Sequence, residues 1–398
     1  MPPDVLVPFA LEFDALVLRT FAGQLGLPYP LPDLAKKTIG LPIRLGGVGL
    51  RPVASSLHIA YFSAAALAAP GIVQLCPMVR RDATFARDPS SMSFMAIIAR
   101  SLDYIKRLVP AAGESKLVPE SMAAFWRLYA VQGMAKKLQS VIAAQVELGV
   151  LQELRESDRL VRADRQRLQA CAARNAGAWL TVVPTSVELR LSDVEYRQAM
   201  RLRLGLQSAD DLPRRCFCNA DLKNNSGHFF SCEQLKRGAI TTRHDRMVQS
   251  LAKLFRSAGA VVRVEERIEG KTRRRPDLVI VTPEQAVYVD VAIVLSSAPS
   301  RTAIRTEVSI EGMEADKKAK YAASAQAQGA IFRAFVLDAY GGWGKEATEV
   351  LGLLRGLLED SSVLAVQTLA VALQRGNALV ARAGALRARA AAADRGGQ

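Results

Sequence analysis

Four residues within one short segment have the spacing of a metal-binding site. The segment follows the pattern C-x-C-x9-H-x3-C, and its candidate ligands are Cys216, Cys218, His228 and Cys232. Three thiolates and one imidazole complete the tetrahedron that Zn²⁺ prefers and leave no position open for a reactive water. The pattern therefore predicts a structural zinc site, which can order a segment too short to fold alone. The alternative is a set of free cysteines near a surface histidine.

Two aspartates form a second candidate site. Asp277 precedes one Val/Ile-rich run, Asp290 lies within the next run, and Thr282–Gln285 between them is typical of a turn. If residue 282 pairs with residue 285 in a hairpin, Asp277 lies opposite Asp290, close enough to share a divalent cation. Mg²⁺ takes carboxylate oxygens and promotes phosphodiester hydrolysis. The alternative is that Pro276-Asp277 supplies only turn chemistry.

A lysine near two such carboxylates would neutralise charge that develops in the transition state. Position 292, two residues after Asp290, holds an alanine, so the strand itself supplies no lysine. The helical run that follows offers Lys317 and Lys320, which lie three positions apart and share a helix face. Taken alone, these two lysines are typical of a solvated helix face, and only their place after the two acids favours a catalytic role.

The pair Pro276-Asp277 and Asp290 resembles the site of the PD-(D/E)XK nuclease fold, with the lysine moved onto the next helix. The whole order is similar to the C-terminal endonuclease of site-specific non-LTR retrotransposons. That family carries a Cys/His knuckle, an R-H-N or R-H-D helix start, a PD strand, a D-V-x-V strand and a K-x-x-K-Y helix. The corresponding segments here are Cys216–Cys232, Arg243-His244-Asp245, Pro276-Asp277, Asp290–Ile293 and Lys317–Tyr321.

The resemblance implies a metal-dependent endonuclease that nicks one DNA strand, so that the free 3′-OH primes reverse transcription. Asp277 and Asp290 would ligate Mg²⁺ or Mn²⁺. Lys317 or Lys320 would be the catalytic lysine.

Arg243 and His244 would, by the same resemblance, lie near the site and contact phosphate or orient water. The implied partners are a DNA target, the RNA of the element and an upstream reverse-transcriptase domain, and the implied location is the nucleus. The sequence contains no Tyr/Phe-x-Asp-Asp polymerase motif. We therefore expect the C-terminal part of a longer element protein, or a derived host reading frame.

The elements that must position these residues change in type along the chain. Apolar residues at three- and four-residue spacing predict a mainly α N-terminal half. A small zinc knuckle follows, and then strands and helices of an α/β domain that resembles PD-(D/E)XK restriction endonucleases. The expected domains are 1–90 (similar to the segment after the polymerase palm), 91–212 (helical linker), 213–240 (knuckle), 241–358 (endonuclease-like) and 359–398 (Ala/Arg-rich basic tail). For Ala370–Gln398, a helix is the alternative to a solvated tail.

Composition agrees with a nucleic-acid partner but does not require one. The formal net charge of +15 favours an anionic partner, whereas an Arg-rich proteome would explain it without one. We expect no signal peptide at Met1–Ala10 and no membrane span, because the apolar run Val53–Leu75 is interrupted by polar residues. Two rival functions remain: a catalytically inactive nucleic-acid-binding remnant, and a helical scaffold that docks RNA or a polymerase.

Overall fold

A computed structural model describes residues 1–76, 93–109, 117–133, 136–158, 160–223, 225–265, 275–298, 306–357 and 362–396. These residues are mostly helical and include one small mixed sheet, which confirms a mainly α chain with a small α/β part. The chain divides into two compact units. The first comprises Met1–Gln24, Tyr29–Pro42 and Gly49–Ser157, and the second comprises Leu25–Pro28, Ile43–Val48 and Asp158–Gln398. The five domains expected from the sequence stay a prediction.

The first unit consists of helices around an aromatic core. They are α1 (Pro3–Leu25), α2 (Asp33–Gly40), α3 (Val53–Leu75), α4 (Phe94–Leu108), α5 (Met122–Trp126), a π-helical turn (Arg127–Val131) and α6 (Leu138–Glu156). Phe62 of α3 is fully buried, and its ring lies 5.3 Å from Phe125 and 5.9 Å from Tyr129. Edge-to-face packing of this kind adds to the stability that burial alone provides.

The described part of the second unit contains the sheet and six α-helices, besides short 3-10 and π-helical turns. The helices are α7 (Arg162–Cys171), α8 (Asp193–Leu204), α9 (Thr241–Ser257), α10 (Thr306–Gln326), α11 (Lys345–Leu357) and α12 (Ser362–Gly396). The strands are β1 (Val261–Val264), β2 (Leu278–Val281), β3 (Ala286–Val294) and β4 (Ile331–Asp338). The sheet order is β1-β2-β3-β4, with antiparallel pairs β1–β2 and β2–β3 and a parallel pair β3–β4.

Strand β3 separates the two faces of this sheet by strict alternation. Val287, Val289 and Val291 join the core formed with α9, α11 and α12. Tyr288 lies on the opposite face, in a second core with α10. Asp290 has the same parity as Tyr288 and therefore lies under α10.

Two short segments from the N-terminal third of the chain belong to the second unit. One of them, Ile43–Val48, is held by Arg203 of α8, whose guanidinium donates to the carbonyl oxygens of Ile43 (3.0 Å) and Gly47 (2.9 Å). Gly46 has a φ of +88°, and a Cβ there would lie 3.1 Å from the carbonyl oxygen of Leu168. The segment Ile43–Val48, which contains Gly46, therefore packs against α7 and α8.

Helix α12 replaces the basic tail that we expected over 359–398, within its described part Ser362–Gly396. Its first half places Leu369 and Leu373 in the core beneath the sheet. Its second half places Val380 and Ala385 in a different core, shared with the Cys/His segment. Arg382 and Arg387 are exposed, whereas Ala381, Ala385 and Ala388 of the same helix are buried, so the helix was the correct alternative for the described part.

Two described helices are long and apolar enough to cross a membrane by length and composition alone: α3, and the stretch Val363–Arg395 of α12. Of their most apolar windows, 39% and 56% respectively are buried inside the protein. Core helices of soluble proteins pass the same test, so this result gives little support to a membrane location.

Candidate metal centre and active site

The four cysteine and histidine residues meet in one cluster of the second unit. A tight turn, closed by a hydrogen bond from the backbone N–H of Asn219 to the carbonyl of Cys216 (2.9 Å), brings the first two cysteines together. A short 3-10 helix, His228–Ser231, then returns the chain to them. The four ligand atoms all lie within 4.8 Å of one another. The cluster could hold a metal ion, and its donors are compatible with zinc.

Burial shapes the acid–base chemistry of these ligands. It raises the pKa of the Cys216 thiol to about 12 and that of Cys232 in the same direction, with neighbouring thiolates adding to the effect. Burial also lowers the pKa of His228, which favours the neutral imidazole that binds metals. A divalent cation would offset the repulsion between the thiolates, so these donors fit a bound Zn²⁺.

Helix α12 covers this metal cluster. Phe229, next to His228, packs so closely against α12 that a Cβ at Gly384 would lie 2.4 Å from its ring. Arg387 of α12 lies 4.5 Å above the ring of Phe217 and donates to the carbonyl oxygen of Gln234 at 3.0 Å. The cluster is therefore fixed against a helix that also supports the sheet.

The two aspartates lie on the hairpin formed by β2 and β3. The backbone N–H of Thr282 donates to Gln285 at 2.9 Å, and the register pairs Leu278 with Val289. One step beyond that pair, Asp277 lies opposite Asp290, which is the placement predicted from the turn. Asp277 is also held by the hairpin itself, since its Oδ2 accepts a 2.6 Å hydrogen bond from the backbone N–H of Val291.

Asp290 is 3% exposed and forms an ion pair with Lys317 of α10 through its Oδ2. Burial raises the pKa of Asp290, the negative charge of Asp277 adds to this rise, and Lys317 opposes it. Tyr321, one helical turn after Lys317, donates a 3.1 Å hydrogen bond to the carbonyl oxygen of Arg275, in the segment before Asp277. Helix α10 thus brings a cation and a phenol to the two carboxylates.

His244 stands on the other side of the pair, at the start of α9. Its Nε2 lies 3.2 Å from Asp277 Oδ2 and 3.2 Å from the carbonyl oxygen of Val291. A carbonyl oxygen can only accept, so Nε2 carries a proton in this arrangement. Burial lowers the pKa of His244, but the hydrogen bond and charge of Asp277 outweigh it and raise the pKa to about 9. The imidazole is therefore cationic at neutral pH.

The remaining two expected site residues lie elsewhere. Lys320 is exposed, with its Nζ 4.6 Å from the centre of the Tyr321 ring. Arg243 is 3% exposed and donates to Asn377 Oδ1 of α12 at 3.0 Å. Its contacts are those of a core residue, since a Cβ at Gly376 would lie 2.5 Å from its side chain.

Tyr321 also lies at this site, although the sequence indicated a role only for the lysines of the Lys317–Tyr321 segment. Its position four residues after Lys317 places both side chains on one face of α10, and this spacing was the available signal. Comparison with known proteins adds no assignment: no protein-family model matches the chain, and no curated protein matches it.

The raised pKa of His244 predicts a pH-dependent contribution to stability. A group whose pKa rises from 6.5 to about 9 on folding stabilises the folded chain fully below pH 6.5 and loses this effect as pH rises through 9. In buffer without Mg²⁺, we expect His244→Gln to lower Tm more at pH 6.5 than at pH 9.5. Melting curves of both proteins by circular dichroism measure this, and a Tm difference that does not change with pH would contradict the pairing.

Proposed function

We propose that this chain is the DNA endonuclease part of a non-LTR retrotransposon protein, with a nuclease domain of PD-(D/E)XK type. The observation that carries the proposal is the meeting of two facing aspartates, one ion-paired lysine and one cationic histidine on adjoining elements. This combination of hard oxygen donors and positive charge suits hydrolysis of a phosphodiester. The reaction would be the nicking of a DNA target to prime reverse transcription.

Asp277 and Asp290 fit a hard cation, because Asp277 lies directly before β2, beside the part of β3 that carries Asp290, and both carboxylates offer only oxygen donors. When bound, Mg²⁺ or Mn²⁺ would polarise the phosphoryl oxygen and lower the pKa of a water. Lys317 opposes the rise in the pKa of the buried Asp290 and supplies positive charge where the phosphate gains negative charge. His244 and the backbone N–H of Val291 orient Asp277.

The metal cluster would hold Zn²⁺ in a structural role and present a basic surface to DNA. The segment 214–237, which carries the cluster, contains five exposed cationic residues: Arg214, Arg215, Lys223, Lys236 and Arg237. Cations of this kind bind the phosphate backbone without reading sequence. The basic residues support a DNA target as partner, and the family resemblance adds the RNA of the element, an upstream reverse transcriptase and a nuclear location to the proposal.

A second candidate function is nucleic-acid binding without cleavage. The same exposed basic residues support it, because binding the backbone requires no metal at the aspartates. Under this alternative, the ion pair between Lys317 and Asp290 is a structural link between α10 and β3. Nicking activity separates the two functions, since both predict DNA binding.

The two lysines of α10 provide a matched test of the catalytic proposal. Lys317 is ion-paired with Asp290, whereas Lys320 is exposed. We expect Lys317→Gln to slow the Mg²⁺-dependent nicking of supercoiled plasmid by about 100-fold or more, the scale for loss of one transition-state donor. Lys320→Gln should change the rate by less than about threefold, as expected for an exposed rim charge. Equal losses in the two variants would contradict the assignment of Lys317.

The zinc proposal predicts one zinc per chain after purification without added metal. Elemental analysis by plasma mass spectrometry measures the stoichiometry. Cys232→Ser removes one of four ligands, so we expect it to lose most of the zinc and to melt at a lower temperature. Cys76→Ser is the control, because Cys76 is exposed and lies outside the cluster. A wild-type protein without zinc, or equal zinc in both variants, would refute the proposal.

A further inference from the structure

A polar cavity of about 190 Å³ lies within the second unit, away from the two aspartates. Its walls come from α7, from the loop after α8, from the turn between the second and third metal ligands, and from the loops that follow β3 and β4. Six residues describe these walls: Arg167, Gly205, Lys223, Asn225, Ser297 and Tyr340. The cavity therefore joins the metal cluster segment to the end of the sheet.

Arg167 is the central feature of this cavity. Its side chain is 1% exposed, with Nη1 donating to the carbonyl oxygen of Arg203 (2.6 Å) and Nε lying 3.2 Å from Asp164 Oδ1. Its Nη2 is buried and has no hydrogen-bond partner among the described residues. A buried cationic donor without an acceptor is costly, so its persistence points to an acceptor that enters the cavity.

The fold makes room for this guanidinium at one position. Gly205 ends α8 with a φ of +72°, a conformation that residues with a side chain rarely adopt. A Cβ on Gly205 would lie 2.6 Å from Nε and 2.9 Å from Nη2 of Arg167. The glycine therefore serves both the turn of the backbone and the close approach of the guanidinium, which packs against Gly205 in the cavity wall.

Further donors face the same space. The hydroxyls of Ser297 and Tyr340 are buried and lie 2.6 Å from each other, so one of them has a proton to donate elsewhere. Lys223 is exposed at the rim. Among the lining residues, the charged side chains are Arg167, Lys223 and Asp164, and Asp164 already faces the Nε of Arg167. The positive charge of Arg167 and Lys223 and the hydroxyl donors of Ser297 and Tyr340 therefore suit an oxyanion.

We propose that this cavity binds one phosphate group, with Arg167 Nη2, the Ser297–Tyr340 hydroxyl pair and Lys223 as its donors. Arginine and lysine are the usual partners of phosphate, and hydroxyls complete the shell. The phosphate belongs either to a free or terminal monoester or to a nucleic-acid backbone. Its binding links α7, the metal cluster segment and the sheet, and it does not depend on nuclease activity.

Calorimetric titration of inorganic phosphate into the zinc-loaded full chain tests the proposal, in Mg²⁺-free buffer with chloride adjusted to constant ionic strength. We expect saturable binding of one phosphate per chain. Lys223→Gln, at an exposed position, should weaken it by about tenfold, since a hydrogen bond to a charged group contributes about 1.5 kcal/mol or more. Lys345→Gln, at an exposed lysine of α11 that does not line the cavity, should leave the affinity unchanged.

Arg167→Gln should abolish phosphate binding. Tyr340→Phe removes only a hydroxyl and should weaken phosphate binding, and it provides the test if the arginine variant does not fold. Absence of saturable binding to the wild type overturns the proposal, as does equal affinity in the wild type, Lys223→Gln and Tyr340→Phe. A second titration uses a short DNA oligonucleotide with saturating phosphate present. Competition that Lys223→Gln relieves identifies the backbone as the source, and unchanged DNA binding beside saturable phosphate binding identifies a monoester.

Discussion

The hairpin register of β2 and β3 is the constraint on which the candidate active site depends. Pairing of residue 278 with residue 289 places Asp277 opposite Asp290 and directs the Asp290 side chain away from the valine core and under α10. A slip of one residue would reverse every side chain of the strand. The register also allows the hydrogen bond from the Val291 N–H to Asp277, the contact of His244 with both, and the ion pair of Asp290 with Lys317.

Helix α12 supports the paired strands by packing against the sheet and against the metal cluster segment. It buries Leu369 and Leu373 beneath the sheet and Val380 and Ala385 against the metal cluster segment, so that one helix spans two cores. Its buried Asn377 accepts a hydrogen bond from Arg243, which lies near the start of α9, the helix that also carries His244. The position of His244 therefore depends on contacts that reach the core of the unit, although the imidazole itself lies near the surface.

Local patterns in the sequence predicted the parts of the site that depend on local structure. The turn Thr282–Gln285 and the Val/Ile-rich runs on either side of it predicted the hairpin and the pairing of the aspartates, because register follows from turn length. The Cys/His spacing predicted the metal cluster. The family resemblance placed Arg243 near the site together with His244, but adjacent residues of a helix point in different directions, and Arg243 contacts Asn377 instead. The burial of α12 depends on Gly376 and Gly384, which face the side chains of Arg243 and Phe229. These residues are distant in sequence, so no local pattern reveals the contacts.

Nicking of supercoiled plasmid by the zinc-loaded chain measures most directly whether the site formed by the paired aspartates cleaves DNA. Asp290→Ala, studied beside the wild type with DNA affinity measured on the same preparations, separates cleavage from binding. We expect the wild type to produce open circles with Mg²⁺ or Mn²⁺, and the variant to bind DNA about equally and leave the plasmid supercoiled. Equal nicking by the variant, or a wild type that binds DNA and never nicks it, would contradict the account.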